Sequence, residues 1–195
     1  MKKKMGKRSS FKRVPRDFYP TPIEAVIPLV SHLPHGGNHF AWGDNPWSYS
    51  EPCAGDGALV RHLSELTKGT CLHATDIASQ DVFVDTKDAF ETTHDDVDYI
   101  ITNPPWDRKI LHPMIEHFAK QKPTWLLFDA DWMHTKQSAS YMLNCEKIIS
   151  VGRIKWFGDT TGKDNCAWYL FKDEYPPFNP VKFYGRKNNG NLHTT

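Results

Sequence analysis

Two hydrophobic periods alternate along this 195-residue chain. In 19–33, Ile23, Val26, Ile27 and Val30 recur at helical spacing, with Thr21 able to cap and Pro22 suited to the first helical position. After a polar loop over 34–46, residues 47–66 read as a short strand, a glycine turn and an amphipathic helix from about Ala58. Short β-branched or aromatic runs then predict strands at 70–77, weakly at 81–90, at 99–102, at 124–132, at 147–157 and at 166–171. Helical patterns over 110–119 and 135–143 separate the later runs. The run Tyr99–Thr102 stops at Asn103-Pro104-Pro105-Trp106, because two prolines have no N–H to extend a ladder.

Strands alternating with helices, without internal repeats, predict a single α/β domain with a doubly wound, mostly parallel sheet and an antiparallel final pair. It is expected over 17–175, between a flexible arm at 1–16 and a C-terminal tail at 176–195. Hydrophobic residues at 39% and charged residues at 24% are ordinary for a globular protein. No apolar run reaches the ~20 residues of a membrane span, and the N-terminus lacks a signal-peptide core. Cys53, Cys71, Cys145 and Cys166 form no C-x-x-C pair, so neither a metal site nor a disulfide framework is expected, and a cytoplasmic setting fits. His32, His35 and His39 lack a nearby cysteine or acid and read as solvated loop residues.

The net charge of +1 hides an asymmetry. Residues 1–16 hold eight Lys and Arg and no acid, leaving −7 on the remainder. A basic arm on an acidic body suits a polyanion such as nucleic acid; a tail that only aids solubility is the alternative.

In parallel sheets ligands bind at the carboxyl ends of the strands. Four unusual stretches fall there: "EPCAGDG" (51–57), "TDI" (75–77), "KDAF" (87–90) and "NPPW" (103–106). The glycine turn lacks the third glycine of a dinucleotide fingerprint, and Asp56 would repel a pyrophosphate at the helix start. An adenosine cofactor without phosphate and with positive charge fits better, which describes S-adenosylmethionine. Asp76, about 20 residues on, is placed for ribose hydroxyls, and Asp88 could accept from the adenine amine.

"FYPTP" (18–22), "EPCAGDG", Asp76, Asp88 and "NPPW" together resemble the motifs of S-adenosylmethionine-dependent DNA adenine-N6 methyltransferases in the γ-type order, over roughly residues 17–171. The resemblance implies a class I Rossmann-like methyltransferase fold. It implies cofactor contacts from Tyr19, Thr21, Glu51, Cys53, Gly55, Asp56, Gly57, Asp76, Ile77 and Asp88, with Thr21 at the methionine part. Asn103, Pro104, Pro105 and Trp106 would be catalytic. The Asn103 side-chain oxygen and the Pro104 carbonyl would grip the two N–H bonds of adenine's exocyclic amine, localising its lone pair, with the prolines fixing the backbone. Trp106 would stack on a base flipped out of the duplex. Trp156 or Phe157, in the stretch 152–171 that resembles a late motif, would add a second aromatic face.

Only 24 residues follow Phe171, too few for the usual separate target-recognition domain. DNA recognition is therefore expected from loops, the basic arm or another chain, a small form that would suit a phage. An RNA base or a protein glutamine amide could be methylated by the same loop. A catalytically silent nucleic-acid-binding module is the rival from another class.

Overall fold

The computed structural model describes residues 18–34, 46–156, 162, 164–173 and 179–186. The basic arm, His35, His39 and Phe157 lie outside the described residues. The elements run α1 (Ile23–Val30), β1 (Trp47–Glu51), α2 (Ala58–Leu66), β2 (Gly69–Asp76), β3 (Asp85–Thr86), β4 (Tyr99–Thr102), α3 (Arg108–Ala119), β5 (Thr124–Asp129), α4 (Ala139–Met142), β6 (Cys145–Arg153), β7 (Asn165–Phe171) and β8 (Lys182–Tyr184). Among the described residues eight strands form one sheet in the order β3-β2-β1-β4-β5-β7-β6-β8. All neighbours pair parallel except β7, which is antiparallel to both β5 and β6. The sheet is thus mostly parallel, with the antiparallel final pair that the sequence predicts. Strand order reverses between β1 and β4, and the crevice beyond their carboxyl ends is where such a sheet opens.

Strand periodicity assigns the two faces. Ile101, Trp125, Leu127, Ile149, Trp168 and Leu170 point to one core, together with Ala25, Val26 and Leu29 of α1 and Leu59 and Leu63 of α2. Their neighbours Ile100, Leu126, Phe128, Ile148, Tyr169 and Phe171 point to the other, with Leu111, Met114, Ile115 and Phe118 of α3 and with Trp132. Strands buried on both faces explain the unbroken apolar runs in the sequence. The Trp168 indole N–H donates to the Ala25 carbonyl at 2.8 Å, tying α1 to the sheet.

Several stretches differ from the sequence reading, and the strand expected over 124–132 ends at Asp129, where a 3-10 turn over Ala130–His134 begins. The strand expected over 81–90 shrinks to Asp85–Thr86, and Val82 and Phe83 stand in solvent, 92% and 88% exposed. Local side-chain bonds win there. Asp81 accepts from the Phe83 N–H at 3.0 Å, and the Ser79 hydroxyl reaches the carbonyls of Asp81 and Val84. The helix expected over 135–143 is a 3-10 turn at Lys136–Ser138 followed by the single turn α4, with the Ser138 hydroxyl bonded to the Met133 and Thr135 carbonyls. Thr21 does not cap α1: Pro22 sits at the cap position, and the Thr21 hydroxyl is engaged elsewhere. Finally, β8 falls within the stretch read as a tail, and its three residues pair with Lys147–Ile149 of β6. Among the described residues no helix is long and apolar enough to cross a membrane.

Candidate functional site

At the carboxyl ends of β1, β2 and β4 lies a cavity of about 870 Å³. Its walls bring together all four stretches singled out in the sequence, along with 18–21. Of the expected cofactor residues, Tyr19, Thr21, Glu51, Cys53, Gly55, Asp56, Asp76, Ile77 and Asp88 line it; Gly57 does not. Of the expected catalytic residues, Asn103 and Pro105 line it, and Pro104 and Trp106 are their immediate chain neighbours, outside the lining itself.

The turn after β1 is built by glycine geometry. Gly55 has φ +56° and Gly57, at the N-cap of α2, φ +73°, a region that side chains with a Cβ avoid. At Gly55 a Cβ would also come within 2.8 Å of the Phe18 ring, so the segment before α1 packs directly on the turn. The Asp76 carboxylate, at the end of β2, accepts from the Gly55 N–H at 2.9 Å with one oxygen and from the Ala78 N–H at 2.7 Å with the other. Asp56 accepts from the Ala58 N–H at 3.0 Å and pairs with Arg61 at 3.6 Å. Asp88 caps the 3-10 turn Ala89–Glu91, accepting from the Phe90 N–H at 2.9 Å.

Glu51 is the electrostatic anomaly of the cavity. It is 1% exposed, and its Oε2 has no hydrogen-bond partner. Burial first, then the carboxylates of Asp76 and Asp56, raise its pKa well above the ordinary carboxylate range, against a smaller pull from the Thr102 hydroxyl and the Asn103 backbone. A buried carboxyl group with one oxygen unpaired, set among other acids, is a place for a cation. Burial likewise raises the Cys53 thiol, which stays neutral.

Around Asn103 every polar atom of the amide is used. Its Nδ2 donates to the Tyr19 carbonyl at 3.3 Å and to the Thr21 hydroxyl at 3.2 Å. Its Oδ1 accepts from the Trp106 indole N–H at 3.4 Å. Trp106 is half-buried and touches both cores. Its ring meets Trp156 edge-on, centroids 5.8 Å apart at 84°, and Trp156 meets Tyr19 at 6.1 Å. Trp156, one of the two candidates for a second aromatic face, is thus next to Trp106.

The sequence reading missed several wall residues. Ile110 and Phe90, each with 40% of its surface exposed, line the cavity with the expected Ile77, which keeps 58%. Large apolar side chains left open on a cavity wall suit the face of a flat ring. The available signal was an aromatic two residues after a capping aspartate. Gln80 and Met114 also line the cavity and carried no motif. Among the described residues no cluster of His, Cys, Asp and Glu could hold a metal ion.

Neither a family model nor a curated protein matches the chain. Solved structures do. A candidate RNA methyltransferase from Pyrococcus horikoshii superposes with a TM-score of 0.57 at 13% identity, covering 85% of this chain and 90% of that one. A modification subunit of a candidate type I restriction enzyme from Vibrio vulnificus gives 0.56 at 11%, covering 89% of this chain but 48% of its own. A candidate class I S-adenosylmethionine-dependent methyltransferase from Listeria monocytogenes gives 0.55 at 12%, covering 90% and 68%. The fold is that of the Rossmann-like class I methyltransferases.

Proposed function

We propose that this protein transfers the methyl group of S-adenosylmethionine to the exocyclic N6 amine of adenine in DNA. The observation that carries the reading is the Asn103 amide, set by the Pro104–Pro105 backbone on the wall of the same cavity that Glu51, Asp76 and Asp88 line. The residues fit the cofactor. Glu51, with its orphaned oxygen, suits a cationic group; Asp76 suits ribose hydroxyls; Asp88 and the apolar side chains of Ile77, Phe90 and Ile110 suit adenine. The bound cofactor supplies an electrophilic methyl group.

The remaining steps belong to the chain. Asn103 Oδ1 keeps a lone pair beyond its long bond to Trp106 and accepts one N–H of the substrate amine, while the Pro104 carbonyl accepts the other. Both acceptors draw the nitrogen toward a localised lone pair aimed at the methyl group, and positioning does much of the rest. No histidine base is needed, because the methylated ammonium is acidic enough to lose its proton to solvent. Trp106 and Trp156 give the flipped base aromatic surface. The decisive experiment measures methyl transfer to duplex DNA, RNA and protein side by side, followed by identification of the modified group. N6-methyladenine in DNA is expected; methylated RNA or glutamine as the main product, or no transfer to any of them, would overturn the assignment.

A further inference from the structure

The bonds around Asn103 carry more than the role of the amide itself. We infer that Thr21 is a positioning residue: its hydroxyl, with the Tyr19 carbonyl, clamps the Asn103 amide so that only oxygen is left to meet the substrate. This rests on the amine-methylation reading. Thr21 is 5% exposed, on the segment leading into α1, and lies 82 residues from Asn103 in sequence. Its hydroxyl is free for this task because it does not cap the helix.

The orientation of the amide follows from its neighbours. A carbonyl can only accept and an indole N–H can only donate. Tyr19 O therefore demands the NH2 end and Trp106 Nε1 demands the oxygen end. The reversed amide would set oxygen against the Tyr19 carbonyl and NH2 against the indole N–H. Both amide hydrogens are thus consumed by 19–21, at 3.3 and 3.2 Å. The oxygen is held by a single bond of 3.4 Å, near the limit of useful length, and has a lone pair to spare. The group entering this position must bring a hydrogen-bond donor, as an amine N–H does. A carbonyl or an unprotonated ring nitrogen would face an oxygen and be repelled.

The clamp also joins the two halves of the site. Residues 18–21 line the cavity beside the glycine turn, where Phe18 packs on Gly55. The segment that closes one side of the cofactor cavity is the same one that orients the acceptor for the base.

Thr21→Val keeps the shape and removes the acceptor; Thr21→Ser keeps the acceptor. At saturating cofactor, Thr21→Val should lower kcat for adenine methylation about 10- to 100-fold while shifting KM for DNA less than about threefold, because the lost restraint acts on orientation. Thr21→Ser should recover to within about threefold of the wild type. A second readout needs neither cofactor nor turnover. In protein carrying 15N-asparagine, the Asn103 side-chain NH2 signal, identified by its loss in Asn103→Ala, should show slowed hydrogen exchange. Exchange should quicken in Thr21→Val and not in Thr21→Ser. The inference is overturned if Thr21→Val leaves kcat and the amide signal unaltered, or if Thr21→Ser behaves like Thr21→Val in both. If Asn103→Ala remains fully active, or adenine is never methylated, the methyl-transfer reading fails instead, and the amide signal alone decides the clamp.

Discussion

Single side chains at the cavity have separable tasks, and substitution should separate them. Asn103→Ala removes one acceptor for the amine but none of the wall that faces Asp76, so methyl transfer should fall by about two orders of magnitude or more with cofactor affinity nearly kept. A mutant turning over at the wild-type rate would reduce the Asn-Pro-Pro-Trp loop to a strand terminator. Asp76→Ala should weaken S-adenosylmethionine binding by ~1.5–3 kcal/mol, the worth of a hydrogen bond to a charged group. Titration calorimetry measures this, and a folded Asp76→Ala with unchanged affinity would remove Asp76 from the ribose site. Because Asp76 also accepts from the Gly55 and Ala78 N–H groups, the same change should loosen the glycine turn. Glu51 makes a pH prediction. Its pKa is raised in the folded protein, so the folded state holds a proton that the unfolded chain gives up. Its contribution is complete below the ordinary glutamate range and is lost as pH rises toward the raised value. Urea unfolding of the cofactor-free protein at pH 5 and pH 8 should show a decline that is smaller in Glu51→Gln. An equal decline in both would assign the effect to another group.

Among the elements, those bounded by hard stereochemistry were legible in the sequence and those decided by side-chain competition were not. β4 ends at Thr102 because two prolines follow, and α2 begins at Ala58 because two glycines with positive φ precede it. Both limits are local, and both were read correctly. β3 was misread because the apolar Val82 and Phe83 imitate a strand, while Asp81 and Ser79 bend the backbone into a turn. β8 is three residues long and depends on a partner, β6, some 35 residues away, which no local pattern encodes. The site shows the same division. Acids and glycines at strand ends announced themselves, whereas Phe90 and Ile110 enter the wall only because their elements fold toward it. The clamp on Asn103 joins residues 82 apart and is invisible to spacing. The glycine turn itself is testable. Gly55→Ala should destabilise the fold by about 1–2 kcal/mol through its left-handed backbone alone, with a further cost from the Phe18 contact. Denaturant titration checks this, and a stability equal to wild type would mean that both the backbone and Phe18 relax freely.

For the molecule as a whole, charge and chain order set the behaviour. If the eight cationic side chains of residues 1–16 contact phosphates, log affinity for DNA against log salt should include about −0.9 for each phosphate they neutralise. Deleting residues 1–13 should flatten that slope and weaken binding alike on all duplexes, while methyl transfer at saturating DNA persists. An unaltered slope in the shortened protein would leave the arm without a role in binding. His94 contributes to sensitivity toward acid. It is fully buried, neither ring nitrogen has a hydrogen-bond partner, and burial lowers its pKa to about 4. The unfolded chain takes up that proton first, so stability should drop as pH falls from about 6.5 to about 4, by roughly 2–3 kcal/mol. His94→Phe should flatten that part of the profile, and a drop of wild-type size in the variant would point elsewhere. The position of β7 has a consequence for how the protein comes into being. This strand is seventh of the eight among the described residues, yet it lies inside the sheet between β5 and β6 and supplies Trp168 and Tyr169, one to each core. Until residue 171 has left the ribosome, β5 and β6 present open edges that cannot reach each other. The domain therefore cannot close before residues 165–171 have been made, and an emerging chain halted before Asn165 should remain sensitive to protease and dependent on chaperones.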